Sequence, residues 1–481
     1  MKQTSLKSNF VFNLIYQVVA IITPIITTPY ISRVLGAEGN GRYSYALSIV
    51  TYFGMFGILG ITTYGQLKIA QCRDDEEQLR KNISEIMTIK TITMLFSIIC
   101  YGVIIATADD NYRIIYMVLL FFLLQNINDV AFIFQGLEMF KTLAIRNLII
   151  KIVNIAMIFI FVKDLGDIYI YVFIIHGVMF IGNFFLWPKV FKYFKIVNPL
   201  HCNFMYHLKE SFVYFVPTIA TSVYTVLDKS MIGWITKSEA QNGYYEQAHK
   251  IEQILVVLVT ALGVVTLPRM AYLNKNKDRD GMKHIMDITV NFIMFISLPM
   301  CVGLFAVAPV LVPCFLGDGY EACIPLVRAF SFLIIIVGLD NTIGKQCLVA
   351  TNRQRMFNIG VISGAVLNFL VNMCLIPVLG ANGAAISSVC AEGLILTLFL
   401  IFSRDMINFK PMVVSFIKYG IIAAVMGVIV WLIGRAMEVR TLTLVVQIAA
   451  GVSVYFVILI IIRDEFVMRA MKMVMGKLKN R

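Results

Sequence analysis

Apolar segments of about 20 residues recur along this chain from Phe10 to the neighbourhood of Arg463. A helix of that length crosses a hydrocarbon layer of about 30 Å. No water is available there to satisfy a backbone, so only helices or closed barrels can span it. The segments are far longer than the roughly 10-residue alternating strands of a barrel. An all-α polytopic membrane protein is therefore expected. Charged residues make up 14% of the 481 positions, against about 25% in a soluble domain. Fourteen spans are predicted, at 10–32, 43–65, 86–106, 114–135, 142–162, 169–190, 211–235, 249–271, 286–311, 323–344, 357–378, 382–402, 415–434 and 443–462.

The chain repeats itself once. Gly41-Arg42-Tyr43-Ser44-Tyr45-Ala46 and Gly243-Tyr244-Tyr245-Glu246-Gln247-Ala248 both read Gly-x-Tyr-x-x-Ala, each between a loop and an apolar helix. Spans 1–6 and 7–12 are then the two copies of a duplicated unit. The expected organisation is an N-terminal six-helix lobe at 1–190, a cytoplasmic linker at 191–210 and a C-terminal six-helix lobe at 211–402. Two extra helices and a basic cytoplasmic tail occupy 403–481.

Orientation follows from Lys and Arg, which concentrate on the cytoplasmic side. With the N-terminus inside, only Arg33, Arg42, Arg113, Lys163, Lys237, Lys250, Arg435 and Arg440 of the 41 basic residues fall in outer segments. Both termini are expected in the cytoplasm. Most of the net charge of +13 is thereby accounted for by topology, and nucleic acid is not expected as a partner. The nine cysteines form no C-x-x-C pair and there is no His cluster, so neither a metal site nor a disulfide framework is expected. Cys314 and Cys323 flank one loop and are read as ordinary thiols. No P-loop is present, so no built-in ATPase is expected.

Charges inside spans are costly and need a partner, a wet cavity or an escape to the interface. Lys90 and Asp287 lie near span ends and are expected to snorkel. Arg33 and Arg328 read equally as interfacial anchors or ligand contacts. Lys151, Asp228, Lys229, Glu392, Asp129 and Asp340 lie where snorkelling is harder, and a polar cavity is the expected reason. Pro24 and Pro217, in spans 1 and 7, are expected to kink equivalent helices. His176 is read as a hydrogen-bonded core residue.

Four stretches carry a family resemblance: S-R-V-L-G-A-E-G-N-G-R-Y-S-Y-A at 32–46, F-Q-G-L-E-M-F-K at 134–141 followed by Arg146-Asn147 and Lys151, L-D-K-S-M-I-G at 227–233 with G-Y-Y-E-Q-A-H-K-I at 243–251, and I-P-V-L-G-A-N-G-A-A-I-S at 376–387. Together they resemble the Wzx-type polysaccharide flippases, in the superfamily of the multidrug and toxin exporters. The resemblance implies two lobes around a cavity that opens alternately to each side of the bacterial cytoplasmic membrane. It implies as cargo an oligosaccharide repeat unit on undecaprenyl diphosphate, and no enzymatic reaction. Arg33, Arg42, Lys151, Lys229 and Arg328 would bind the diphosphate or acidic sugars. Asp129, Asp228, Asp340 and Glu392 would contact sugars or take up a coupling H+ or Na+; no other cofactor is implied. A polysaccharide polymerase and other assembly proteins are the candidate protein partners. The competing readings are a multidrug exporter, a lipid II flippase and a glycan polymerase. The short outer loops argue against the last.

Overall fold

The computed structural model describes residues 6–194, 203–260 and 263–468, and every regular element among them is helical. The chain packs as two compact units, Met1–Glu246 and Gln247–Arg481. Eleven helical stretches among the described residues are long and apolar enough to cross a membrane. The protein is a multi-pass membrane protein.

In the first unit, α1 runs from Leu6 to Ile58 and merges the first two predicted spans. What separates them is Gly36, with φ 61° and ψ −177°, inside otherwise continuous helix. Glycine alone adopts that backbone without strain. A second break at Leu59 and Gly60, both with positive φ, starts α2 (Ile61–Cys72). Gly60 also lets another helix approach, since a Cβ there would lie 2.6 Å from the Ser211 carbonyl oxygen. The expected inner loop at 66–85 is thus mostly helix. It shrinks to the turn before α3 (Glu76–Thr107), where Asp75 caps the helix by accepting from the amides of Glu77 and Gln78.

The predicted fourth span is likewise two helices, α4 (Asp110–Asn128) and α5 (Ala131–Gly136). Then follow α6 (Phe140–Phe161), α7 (Ile168–Asn183), the short α8 (Trp187–Val190) and α9 (Phe204–Thr236). Most of α9 lies in the seventh predicted span, and it packs on α1, α2 and α3. Pro217 falls within it; Pro24 falls within α1. One apolar core gathers Ile31, Tyr43, Val50, Tyr101, Leu119 and Val172; a second, around Ile69, Ile86 and Phe132, packs α2, α3 and α5.

The element α10 (Glu239–Thr260) carries the chain into the second unit. There α11 (Gly263–Lys275), α12 (Arg279–Leu316) and α13 (Cys323–Asn341) are followed by a π-helical segment, Thr342–Val349. Then come α14 (Gln354–Leu379), α15 (Ala381–Phe402), α16 (Phe409–Ala436) and α17 (Thr441–Ile461). α14 packs on α15, and α12 packs on α13 and α16. The last two helices are tied in by polar bonds, Gln447 to the Val430 carbonyl at 2.9 Å and Tyr455 to the Phe295 carbonyl at 2.7 Å. Cys314 and Cys323 are thiols, as read from the sequence.

Candidate functional site

The two copies of Gly-x-Tyr-x-x-Ala cross each other. A Cβ on Gly41 would lie 1.7 Å from the Glu239 carbonyl oxygen, and one on Gly243 would lie 1.9 Å from that of Ala37. Two helical backbones therefore meet where any side chain would hold them apart. Gly233 of α9 makes a third close approach, against the Tyr45 ring. The repeat legible in the sequence is, in space, the seam where α1 receives the end of α9 and the first two turns of α10.

Ionic and polar bonds line that seam. Arg42 donates through Nε to both carboxylate oxygens of Glu239, at 3.0 and 3.1 Å. Lys229 lies 2.6 Å from Glu246 Oε2, which also accepts from Ser44 at 3.1 Å. Tyr245 donates to Asp228 Oδ2 at 2.5 Å, and Asp228 is 1% exposed. Asn242 donates to the Lys229 carbonyl at 2.8 Å, and Ser230 donates to Ser48 at 2.9 Å. Three residues singled out from sequence, Arg42, Asp228 and Lys229, are thus gathered in one place. Their partners Glu239 and Glu246 were not singled out. The available signal was that Glu246 lies inside the second motif, where the first motif has Ser44 close by.

Lys90 does not snorkel. It is 1% exposed and its Nζ donates to the backbone carbonyl of Asp129. The helix break after Asn128 frees that carbonyl, and the longer α3 places Lys90 well inside the helix. The Asp129 carboxylate accepts from the Ala131 amide at 2.9 Å and lies 3.9 Å from Arg146. Arg146, 3% exposed, donates to Asn183 at 2.7 Å, and Asn183 donates to Asn128 at 2.9 Å. His176 is buried between Tyr43 (3.1 Å) and Gln125 (3.4 Å), a core position as expected. A further buried chain links Tyr64, His207 and Glu85, with 2.6 Å from the tyrosine oxygen to Nδ1 and 2.7 Å from Nε2 to the carboxylate. It clamps the first turn of α9 to α2 and α3.

The remaining predicted residues are dispersed. Arg33 is exposed and donates to the Pro29 carbonyl at 3.1 Å. Lys151 is half-buried on α6. In the second unit Arg328 donates to the Phe305 carbonyl at 3.4 Å and lies over the Phe305 ring. Asp340 and Glu392 are both 6% exposed and interact with each other, and Glu392 is also a neighbour of buried Glu252. Asp287 accepts from Asn408 at 2.7 Å. Among the described residues no group of three or more His, Cys, Asp or Glu is arranged to hold a metal ion.

The family model described as polysaccharide biosynthesis protein matches residues 6–274, more than half of the chain. The chain belongs to that family. The match agrees with the Wzx-type resemblance carried by the four sequence stretches. Over 409 residues it is 24% identical to a putative O-antigen transporter of Escherichia coli (strain K12), covering 83% of this chain and 97% of that one. A putative O-antigen transporter of Shigella dysenteriae is 24% identical over 386 residues, covering 78% and 94%. Among solved structures, the lipid II flippase MurJ in an inward closed conformation superposes with a TM-score of 0.76 at 16% identity, covering 95% of this chain and 99% of that one. An inward-facing multidrug resistance MATE family transporter gives 0.61 at 13% identity, covering 80% and 97%. At those identities the likeness speaks to the fold.

Proposed function

We propose that this protein is a flippase for a lipid-linked glycan, moving oligosaccharide repeat units on undecaprenyl diphosphate from the inner to the outer leaflet of the cytoplasmic membrane. The observation that carries the reading is the match to transporters named for O-antigen along nearly their whole length. The seam between the two motifs supports it. A cargo with a polar glycan, a diphosphate and a prenyl tail needs cations for its phosphates and hydrogen-bonding groups for its sugars, while the tail stays in lipid. Arg42 and Lys229 supply cations, and Arg33, Lys151 and Arg328 are the further candidates. Asp129 and Asp228 are candidate sugar contacts. Asp340 and Glu392, which face each other out of water, are the candidate site for an H+ or Na+ that drives the cycle, because an acceptor-only pair in a dry place calls for a cation. The chain acts as a transporter without a catalytic step, and a polymerase working on the outer face is the candidate downstream partner.

The test is a deletion strain. Complete lipid-linked units should accumulate on the inner leaflet and be cleared by the wild-type gene. Single units reaching the outer leaflet unpolymerised would overturn the reading.

A further inference from the structure

The seam contains two cation–carboxylate pairs, and in both the carboxylate comes from the first two turns of α10. Glu239 holds Arg42 of α1, and Glu246 holds Lys229 of α9. Side-chain exposure is 19% for Lys229 and 12% for Glu246. The pair is therefore shielded enough to matter and open enough to be reached. Glu246 is bonded on a second side by Ser44, so one carboxylate oxygen serves both α1 and α9. Beside this pair in the chain, Tyr245 closes on buried Asp228.

A carboxylate and a phosphate offer Lys and Arg the same kind of acceptor, and a diphosphate offers more oxygens and more charge. An arriving diphosphate can replace Glu246 on Lys229. Glu246 is then a partly buried carboxylate that has lost Lys229. A buried charge stripped of such a partner is costly to keep. Separation of the α9–α10 hairpin from α1 relieves that cost by admitting water.

We propose that Glu246 is the resident occupant of an anion-exchange latch. A diphosphate group that takes Lys229 from Glu246 loosens the α9–α10 hairpin from α1, so arrival of an anionic cargo unlocks the seam. This rests on the lipid-linked cargo reading for its physiological meaning. The exchange itself is measured without any cargo.

The experiment uses the purified full-length protein with its nine native cysteines replaced and Ser48→Cys and Ser230→Cys introduced. The two hydroxyl oxygens are 2.9 Å apart, so diamide should form a disulfide across α1 and α9 when the seam is closed. Inorganic pyrophosphate is the probe, against chloride at equal ionic strength. Pyrophosphate should slow disulfide formation roughly tenfold or more, the scale expected when a shielded pair loses one partner. In Lys229→Met with Glu246→Gln, the seam should close at the original rate and ignore pyrophosphate. Glu246→Gln alone, which leaves Lys229 unpaired, should cross-link slowly in chloride too. An unchanged rate in the otherwise native protein overturns the proposal, as does an equal pyrophosphate effect in the neutral pair. If the cross-link responds but the deletion strain exports normally, the cargo reading fails and the latch stands. If the deletion strain accumulates lipid-linked glycan but the cross-link is unresponsive, the latch alone fails.

Discussion

Gly243→Ala should prise the seam open. Its Cβ would stand 1.9 Å from the Ala37 carbonyl oxygen and 2.8 Å from the Ala37 carbonyl carbon. Ordinary contact begins near 3.4 Å, so one backbone must retreat by roughly 1.5 Å. Neither side has a flexible side chain to give way, because both partners are helical main chain. Overpacking of this kind costs about 1–3 kcal/mol, equivalent to a roughly 5- to 150-fold shift in a closed-to-open equilibrium. The readout is the rate at which Ser48→Cys and Ser230→Cys cross-link in detergent, with and without the substitution. Gly41→Ala should behave alike, since its Cβ would stand 1.7 Å from the Glu239 carbonyl oxygen. Gly102→Ala is the control: nothing lies within 4 Å of a Cβ there, and within α3 the change should be neutral or stabilising by up to about 1 kcal/mol. If Gly243→Ala cross-links as fast as the parent protein, the reasoning that the motifs close the seam by backbone contact is wrong.

Other outcomes follow from the same geometry. His207→Ala leaves Glu85 buried without its partner and should cost about 3–5 kcal/mol, read as a lower melting temperature in detergent. Glu85→Gln, which retains an acceptor, should cost clearly less, and equal losses would refute the pairing. In the second unit, where Arg353 precedes α14 and Asp405 follows α15, the Arg353 guanidinium grips Asp405 through two nitrogens and holds its carboxyl below the usual carboxylate range. A depressed pKa stabilises above the unfolded value of about 3.9, and that contribution is lost as pH falls through the folded value. Asp405→Asn should therefore destabilise by at most about 1 kcal/mol at neutral pH, because the pair is partly exposed. The difference from the parent protein should fade below about pH 4. A difference that persists unchanged at lower pH would refute the linkage.

Most of the helical plan was legible because hydrocarbon thickness sets a length that hydropathy can see. The breaks were not, because they are torsional. Gly36 and the Leu59–Gly60 pair interrupt helices without interrupting apolarity, and α4 ends at Asn128 inside an apolar run. The last of these explains Lys90: a sequence shows a lysine about one turn into a span, but not the carbonyl that a broken helix turns toward it. The repeated motif was legible as a repeat and not as a contact, since six shared residues carry no direction. The charges were legible one at a time. Arg42 stood out as a cation of an outer segment and Lys229 as a charge inside a span, whereas Glu239 and Glu246 looked like loop and helix-start residues until the crossing brought them together. Arg146 was read only as part of a family-like stretch, and its buried bonds, like the Tyr64–His207–Glu85 chain, were not foreseen because each lies near a predicted span boundary, where a polar residue ordinarily faces water.

The central claim concerns transport, and reconstitution tests it most directly. Purified protein would be placed in liposomes carrying an undecaprenyl-diphosphate oligosaccharide in both leaflets. The fraction accessible to an impermeant glycan-oxidising reagent would be followed against protein-free liposomes. The account predicts that the protected pool becomes accessible only when the protein is present, and that Lys151→Met with Lys229→Met abolishes this while the protein remains folded. A protected pool that stays protected in the presence of folded wild-type protein, with and without an imposed H+ or Na+ gradient, would contradict it.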